Sequence, residues 1–135
     1  MFDGQKLIIF ASLLFITASL FPLKVTAYTY NQAQCSEIAN VVNQTTPMSV
    51  DQITTLRSST CVVLGGNATF TYLYDLSIIP DARFTQDFKK SVMKKFCSNP
   101  ETRDFLDGLT FLRMDYYDLN STFFDRIEFG PTDCP

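Results

Sequence analysis

Four cysteines, Cys35, Cys61, Cys97 and Cys134, and a complete absence of histidine bound the chemistry open to this chain. Without an imidazole there is no Ser–His or Cys–His nucleophile pair and no His-containing metal triad. Zinc held by all four thiolates is the one cysteine–metal arrangement left. No two cysteines stand at CxxC spacing, however, and an even number scattered through a short exported chain reads as two disulfides. Four cysteines allow three pairings. A reactive role for Cys97 would need a depressed pKa. Lys89, Lys90, Lys94 and Lys95 precede it, but the C-terminal end of a helix disfavours a thiolate, so a structural bridge is the expectation. A Cys97–Cys134 bridge would tie down the C-terminal tail, and Cys35 would then join Cys61.

The carboxylates offer two imaginable acid/base pairs, Asp104 with Asp107 and Asp115 with Asp118. Such residues are more often the solvated faces of half-exposed elements, and no enzyme activity is expected. Gly65-Gly66 lies between strands and not before a helix, so it is no phosphate loop. No cofactor and no metal are implied. With 11 basic against 14 acidic residues the chain carries a formal charge of −3, which gives no electrostatic reason to expect nucleic acid. Two groups remain as candidate contacts for a protein or peptide partner. They are the tyrosines Tyr72, Tyr74 and Tyr116 on predicted strands, and the lysines Lys89 and Lys90 on a predicted helix. Core packing and a solvated helix face are the competing roles for these residues. Three sequons begin at Asn43, Asn67 and Asn120, the last two at predicted hairpin turns.

These residues need elements to hold them. Residues 1–27 read as a secretory signal: Lys6, an apolar run from Leu7 to about Leu23, and the small residues Val25-Thr26-Ala27 at the cleavage site. Asp3 weakens the positive start, which leaves an uncleaved anchor as the alternative. Cleavage leaves residues 28–135 as one domain with no stable membrane anchor. From Asn31 to Val42, the positions Cys35, Ile38, Ala39 and Val42 share one face of a helix, and Pro47 forbids its continuation. From Ile53 to Leu64 the chain alternates, with Leu56, Ser58, Thr60, Val62 and Leu64 on one face. After Gly65-Gly66-Asn67 the face Phe70, Tyr72, Tyr74 and Leu76 resumes the alternation, and this is the face expected to be buried. Phe84, Phe88, Val92 and Phe96 then recur every four residues up to Cys97, a second helix. Asn99 and Pro100 start a third, which Gly108 ends. Leu109–Tyr117 and Thr122–Phe129, joined by Asp118-Leu119-Asn120-Ser121, form a second hairpin. The expected fold is α+β: a mainly antiparallel four-stranded sheet of two hairpins, helices on one face, and two disulfides.

The segment "FCSNPETRDFLDGLTFLRMDYYDLNSTFFDRIEFGPTDC" resembles the C-terminal half of small bacterial envelope proteins, most closely the α/β class of type II secretion pilotins. The positions that carry the likeness are Cys97, Asn99, Pro100, Arg103, Leu106, Gly108 and Cys134. The resemblance implies a small antiparallel sheet flanked by helices, with the helix cysteine joined to the terminal one. It further implies a protein that binds a short segment of an outer-membrane secretin. Pilotins of this kind are lipoproteins, whereas Cys35 follows Gln32-Ala33-Gln34, which is not a lipobox.

The functional expectation is therefore a periplasmic or secreted, non-enzymatic protein-binding module of the bacterial envelope. It would hold a partner, such as a secretion-system component, against a sheet edge or beside the Phe84–Cys97 helix. A secreted factor acting outside the cell and a small carboxylate-based enzyme are the rival expectations.

Overall fold

The computed structural model describes residues 29–135, so the expected signal segment 1–27 lies outside the described residues. Within them the order is α1 (Gln32–Asn43), β1 (Met48–Ser49), β2 (Thr54–Leu64), β3 (Asn67–Leu76), α2 (Gln86–Ser98), α3 (Pro100–Asp107), β4 (Phe111–Tyr117) and β5 (Phe123–Phe129). A 3-10 turn at Pro131–Asp133 follows.

The expected α+β class with two disulfides is present, but the sheet differs from expectation. It has five strands in the order β1-β2-β3-β4-β5, and the β3–β4 pair is parallel, with Phe70 beside Leu112 and Tyr74 beside Tyr116. The two hairpins stand where the sequence places them, as β2–β3 and β4–β5, each antiparallel. What joins them is a crossover. Residues 77–110 carry both α2 and α3, long enough to bring β4 back alongside β3 in the same direction. The fifth strand, β1, is only two residues paired to Thr55 and Leu56, too short to leave an alternation pattern.

The β2–β3 turn has Gly65 and Gly66 at φ +57° and +80°, a conformation that glycine adopts without penalty. On β3 the predicted aromatic face is the buried one: Ala68, Phe70, Tyr72, Tyr74 and Leu76. On β2 the face assignment needs correction. A register shift between Leu56 and Ser58 changes the phase of the alternation, so that Leu56 is followed inward by Ser59 and Cys61 in place of Ser58 and Thr60. Inward residues of the last two strands are Leu112, Met114 and Tyr116, then Asp125, Ile127 and Phe129.

All three helices pack on this one face. Cys35, Ile38, Ala39 and Val42 of α1 are buried, and the Cys35–Cys61 disulfide fixes that helix to β2. Phe96 of α2 meets Phe129 with rings 5.5 Å apart, and Phe105 of α3 meets Phe70 at 5.2 Å. Phe84 lies before α2 and not within it; Thr85 is the N-cap, its hydroxyl accepting from Phe88 N–H. Phe88, on the apolar recurrence that marked this helix in the sequence, is only half-buried. Asn99 caps α3 as expected, accepting from Glu101 N–H, with Pro100 at the first helical position. The Cys97–Cys134 disulfide anchors the tail at this helix junction.

Gly108 ends α3, but at φ −84°, so left-handed freedom is not the reason for glycine there. Tyr30 N–H donates to Gly108 O at 2.8 Å, and the tyrosine ring lies where a Cβ would stand. Close approach is the requirement. The opposite face of the sheet has no helix among the described residues. It is laced by the ion pairs Arg57–Asp75 (2.5 Å), Arg126–Asp115 (2.6 Å) and Arg113–Glu128.

Candidate functional site

A sheet open at both sides presents two rows of unpaired backbone groups, and this fold treats its two edges differently. On the β2 side, Ser59, Cys61 and Val63 stand two apart and turn their backbone groups outward, toward α1. Two carboxamides at opposite ends of that helix meet them. Asn43 Nδ2 donates to Ser59 O at 2.9 Å, and its Oδ1 accepts from Ser59 N–H at 2.7 Å. Gln32 Nε2 donates to Cys61 O at 3.1 Å, and its Oε1 accepts from Val63 N–H at 2.8 Å. With β1 paired to Thr55 and Leu56, the edge is covered along most of its length. A carboxamide carries one donor and one acceptor group side by side, as a peptide unit does, so it can stand in for a strand.

On the β5 side, no strand among the described residues pairs outward. Arg126 N–H is taken by the Asp125 carboxylate at 2.8 Å. Alternate residues of an antiparallel ladder turn outward, so Glu128 presents its N–H and C=O to the same side as Arg126. Both face β4 as non-hydrogen-bonded pairs, the closer type, which suits the cross-strand ion pairs Arg126–Asp115 and Glu128–Arg113.

Beside this edge lies an open cleft of about 620 Å³ lined by Arg83, Gln86, Lys89, Phe123, Asp125, Arg126 and Glu128. Asp125 organises it. Although on the buried face of β5, its carboxylate accepts from Phe84 N–H at 3.1 Å and from Lys89 Nζ at 3.1 Å, joining the start of α2 to the strand. Arg126 lies over the Phe123 ring at 5.8 Å while its guanidinium grips Asp115 through two hydrogen bonds, which raise its pKa. Phe123 remains 46% exposed.

Of the residues singled out from the sequence, Lys89 lines this cleft and Lys90 is exposed one position further along α2. Tyr72, Tyr74 and Tyr116 do not reach a surface. Each is 1% exposed in the core, with Tyr74 and Tyr116 stacked at 4.8 Å and Phe84 edge-on to Tyr116 at 4.8 Å. Burial drives their hydroxyl pKa values well above the usual range. The tyrosines are inward because β3 and β4 both lie inside the sheet, and their in-register positions face the helices. Burial likewise pushes Tyr30 up to about 12, with Asp104 and Asp107 adding to it.

The imagined acid pairs are otherwise engaged. Asp107 pairs with Arg103 on α3, Asp115 with Arg126 on the helix-free face, and Asp118 closes the β4–β5 turn by accepting from Asn120 and Thr122 N–H. Among the described residues, no group of three potential metal ligands converges. Asn43, first of the sequons, has its carboxamide committed to Ser59, whereas Asn67 and Asn120 are exposed.

Sequence reading missed Asp125, Arg83, Gln86, Phe123 and Arg126 at the open edge, and Gln32 and Asn43 at the closed one. One signal was available. In "FFDRIEF" Asp125 stands in phase with Ile127 and Phe129, and a carboxylate on a buried face needs partners.

No protein-family model matches this chain, and no curated protein matches it. Its fold, a five-stranded mixed sheet with helices packed on one side, is similar to that of a solved pilotin. The solved structure that shows this is the pilotin from the Vibrio vulnificus type 2 secretion system, EpsS, similar over 98% of both chains with a TM-score of 0.52 and 15% identity. At that identity the likeness is one of fold.

Proposed function

We propose that this chain is a non-enzymatic protein-binding module of the bacterial envelope that takes an extended segment of a secretion-system partner against β5. The observation that carries this reading is the asymmetry of the sheet: one edge is sealed by α1, and the other is open beside a polar cleft. An open edge offers main-chain hydrogen bonds to any extended segment, and the neighbouring side chains supply selectivity. The pilotin-like fold supports a secretion-associated role, and two disulfides agree with an oxidising compartment such as the periplasm. All four cysteines are held in these bridges, so none of them is free to take a lipid. The binding role proposed does not include lipid-directed sorting through a cysteine of this chain.

Photo-crosslinking in the native host tests this. A benzophenone side chain at Phe123 is expected to capture one envelope or secretion-system protein, while the same group at Asn40, exposed on α1, captures none. Equal capture at both positions, or none at Phe123, contradicts the reading.

A further inference from the structure

The cleft beside β5 is unbalanced in charge, and the imbalance points to the chemistry of its occupant. Of its three cations, Lys89 is paired with Asp125 and Arg126 with Asp115; of its two acids, Asp125 has Lys89 and Glu128 has Arg113. Arg83 is left as an exposed cation in the cleft, with no ion pair among the described residues. Next to it, Gln86 begins α2, and Lys90 adds a further exposed cation on the same helix. The helix start contributes partial positive charge of its own. Thr85 satisfies Phe88 N–H through its side chain and Lys89 N–H through its carbonyl, and Gln86, whose amide neither bond uses, lines the cleft at the first turn of the helix. Asp81 and Asp87 are exposed acids nearby, but neither lines the cleft.

Resting on the reading of β5 as the docking edge, we propose that the occupant is an acidic extended peptide. One Asp or Glu side chain meets Arg83 and the first turn of α2, and an apolar side chain covers the exposed ring of Phe123. Edge pairing places the peptide's backbone against Arg126 C=O and against the N–H and C=O of Glu128. Its side chains alternate between the cleft and the helix-free face. Selectivity for acid then comes from charge, and affinity from the main chain and Phe123.

Fluorescence anisotropy of the full domain with labelled ten-residue peptides of one Val/Thr-rich sequence tests this, the central position being Glu, Gln or Lys. The Glu peptide is expected to bind about three- to fivefold tighter than the Gln peptide, the span of an exposed ion pair, and the Lys peptide weakest. The preference should shrink with added salt. Arg83→Glu should invert the Glu/Lys order without changing the melting temperature, because Arg83 is exposed and outside the ion pairs that hold the fold. Phe123→Ser should weaken all three alike, and N-methylation of the peptide backbone should abolish binding. Equal binding of Glu and Gln peptides overturns the acidic preference while leaving edge docking intact. Binding that survives N-methylation, or no binding of any peptide, overturns edge docking itself. A dimer in solution whose interface excludes all three peptides overturns the proposal in favour of a second copy of this chain at β5.

Discussion

The two edges of this sheet solve the same problem by opposite means. The β2 edge is closed by side chains: Gln32 and Asn43, eleven residues apart at the two ends of α1, imitate a neighbouring strand across Ser59, Cys61 and Val63. The β5 edge is guarded by charge alone, with one carboxylate, Asp125, on Arg126 N–H and the remaining outward groups uncovered by any described strand. Burying a backbone group without a partner is costly, so the closed edge must keep both carboxamides in place. The open edge has no such constraint, since water satisfies it until something else does. Charge on an edge strand discourages pairing with other copies of the chain without covering the backbone groups, as the carboxamides of α1 do at β2. The uncovered edge lies next to Arg83, an arginine outside the ion pairs of the described residues, and this is the feature the proposed binding role rests on.

The two edges can be perturbed together or one at a time, with effects of graded size. Strongest is alkaline pH, which should remove both edges together. The hydroxyls of Tyr30, Tyr72, Tyr74 and Tyr116 are raised above their ordinary value of about 10 by burial, so the folded state disfavours the phenolate. Their contribution is intact below pH 10 and is lost as pH rises past that value, through about 12 for Tyr30 and further for the other three. Circular dichroism should therefore be lost in one cooperative step above pH 10, with the phenolate absorbance of these four of the six tyrosines appearing in the same step. Four independent tyrosine titrations near 10 with the fold retained would show the rings accessible.

Next in size is the bridge that holds α1 in place. Replacing Cys35 and Cys61 together by Ser should cost about 2–4 kcal/mol in urea unfolding. Amide exchange at Ser59 and Val63 should speed up as the helix loosens, with Glu128 unaffected. A loss confined to global stability, with exchange at the two edges unchanged in order, would mean that α1 seals β2 without its staple.

Asn43→Ala should cost about 1–3 kcal/mol, since Ser59 is buried and its N–H loses its side-chain acceptor. The variant should also self-associate through the newly exposed edge. Gln32→Ala, at an exposed position, is the smallest of the series at about 0.5–1 kcal/mol. If Gln32 proves the costlier of the two, the burial of Ser59 is not what sets the penalty.

Much of the scaffold was legible because its signals are local. Gly65-Gly66 marks a turn, and Asn99-Pro100 after Cys97 marks a helix start. The apolar spacing of Cys35, Ile38, Ala39 and Val42 marks a buried helix face. What escaped depends on partners distant in sequence. Nothing local in Phe70–Leu76 or Leu112–Tyr116 states that the two segments run parallel, because that follows from where the 77–110 crossover returns. The same juxtaposition decides that Tyr72, Tyr74 and Tyr116 face inward, where side-chain type alone suits either a core or a binding surface. The register shift at Leu56/Ser58 is invisible in a strand of serines and threonines, whose two faces look alike. Gln32 and Asn43 read as solvated helix residues, and only the proximity of β2 turns them into surrogate strand groups. The open edge was least legible of all, since an unpaired edge is a property of what is not beside it.

Among the described residues, β5 is the available edge of the sheet and β2 is not. Native-state hydrogen exchange of the folded domain tests it most directly, by comparing the Glu128 amide with those of Ser59 and Val63 in one experiment. Fast, solvent-like exchange is expected at Glu128, slow exchange at Ser59 and Val63, and protection of Glu128 once the acidic peptide is added. A Glu128 amide already as protected as Ser59 in the free protein would contradict it.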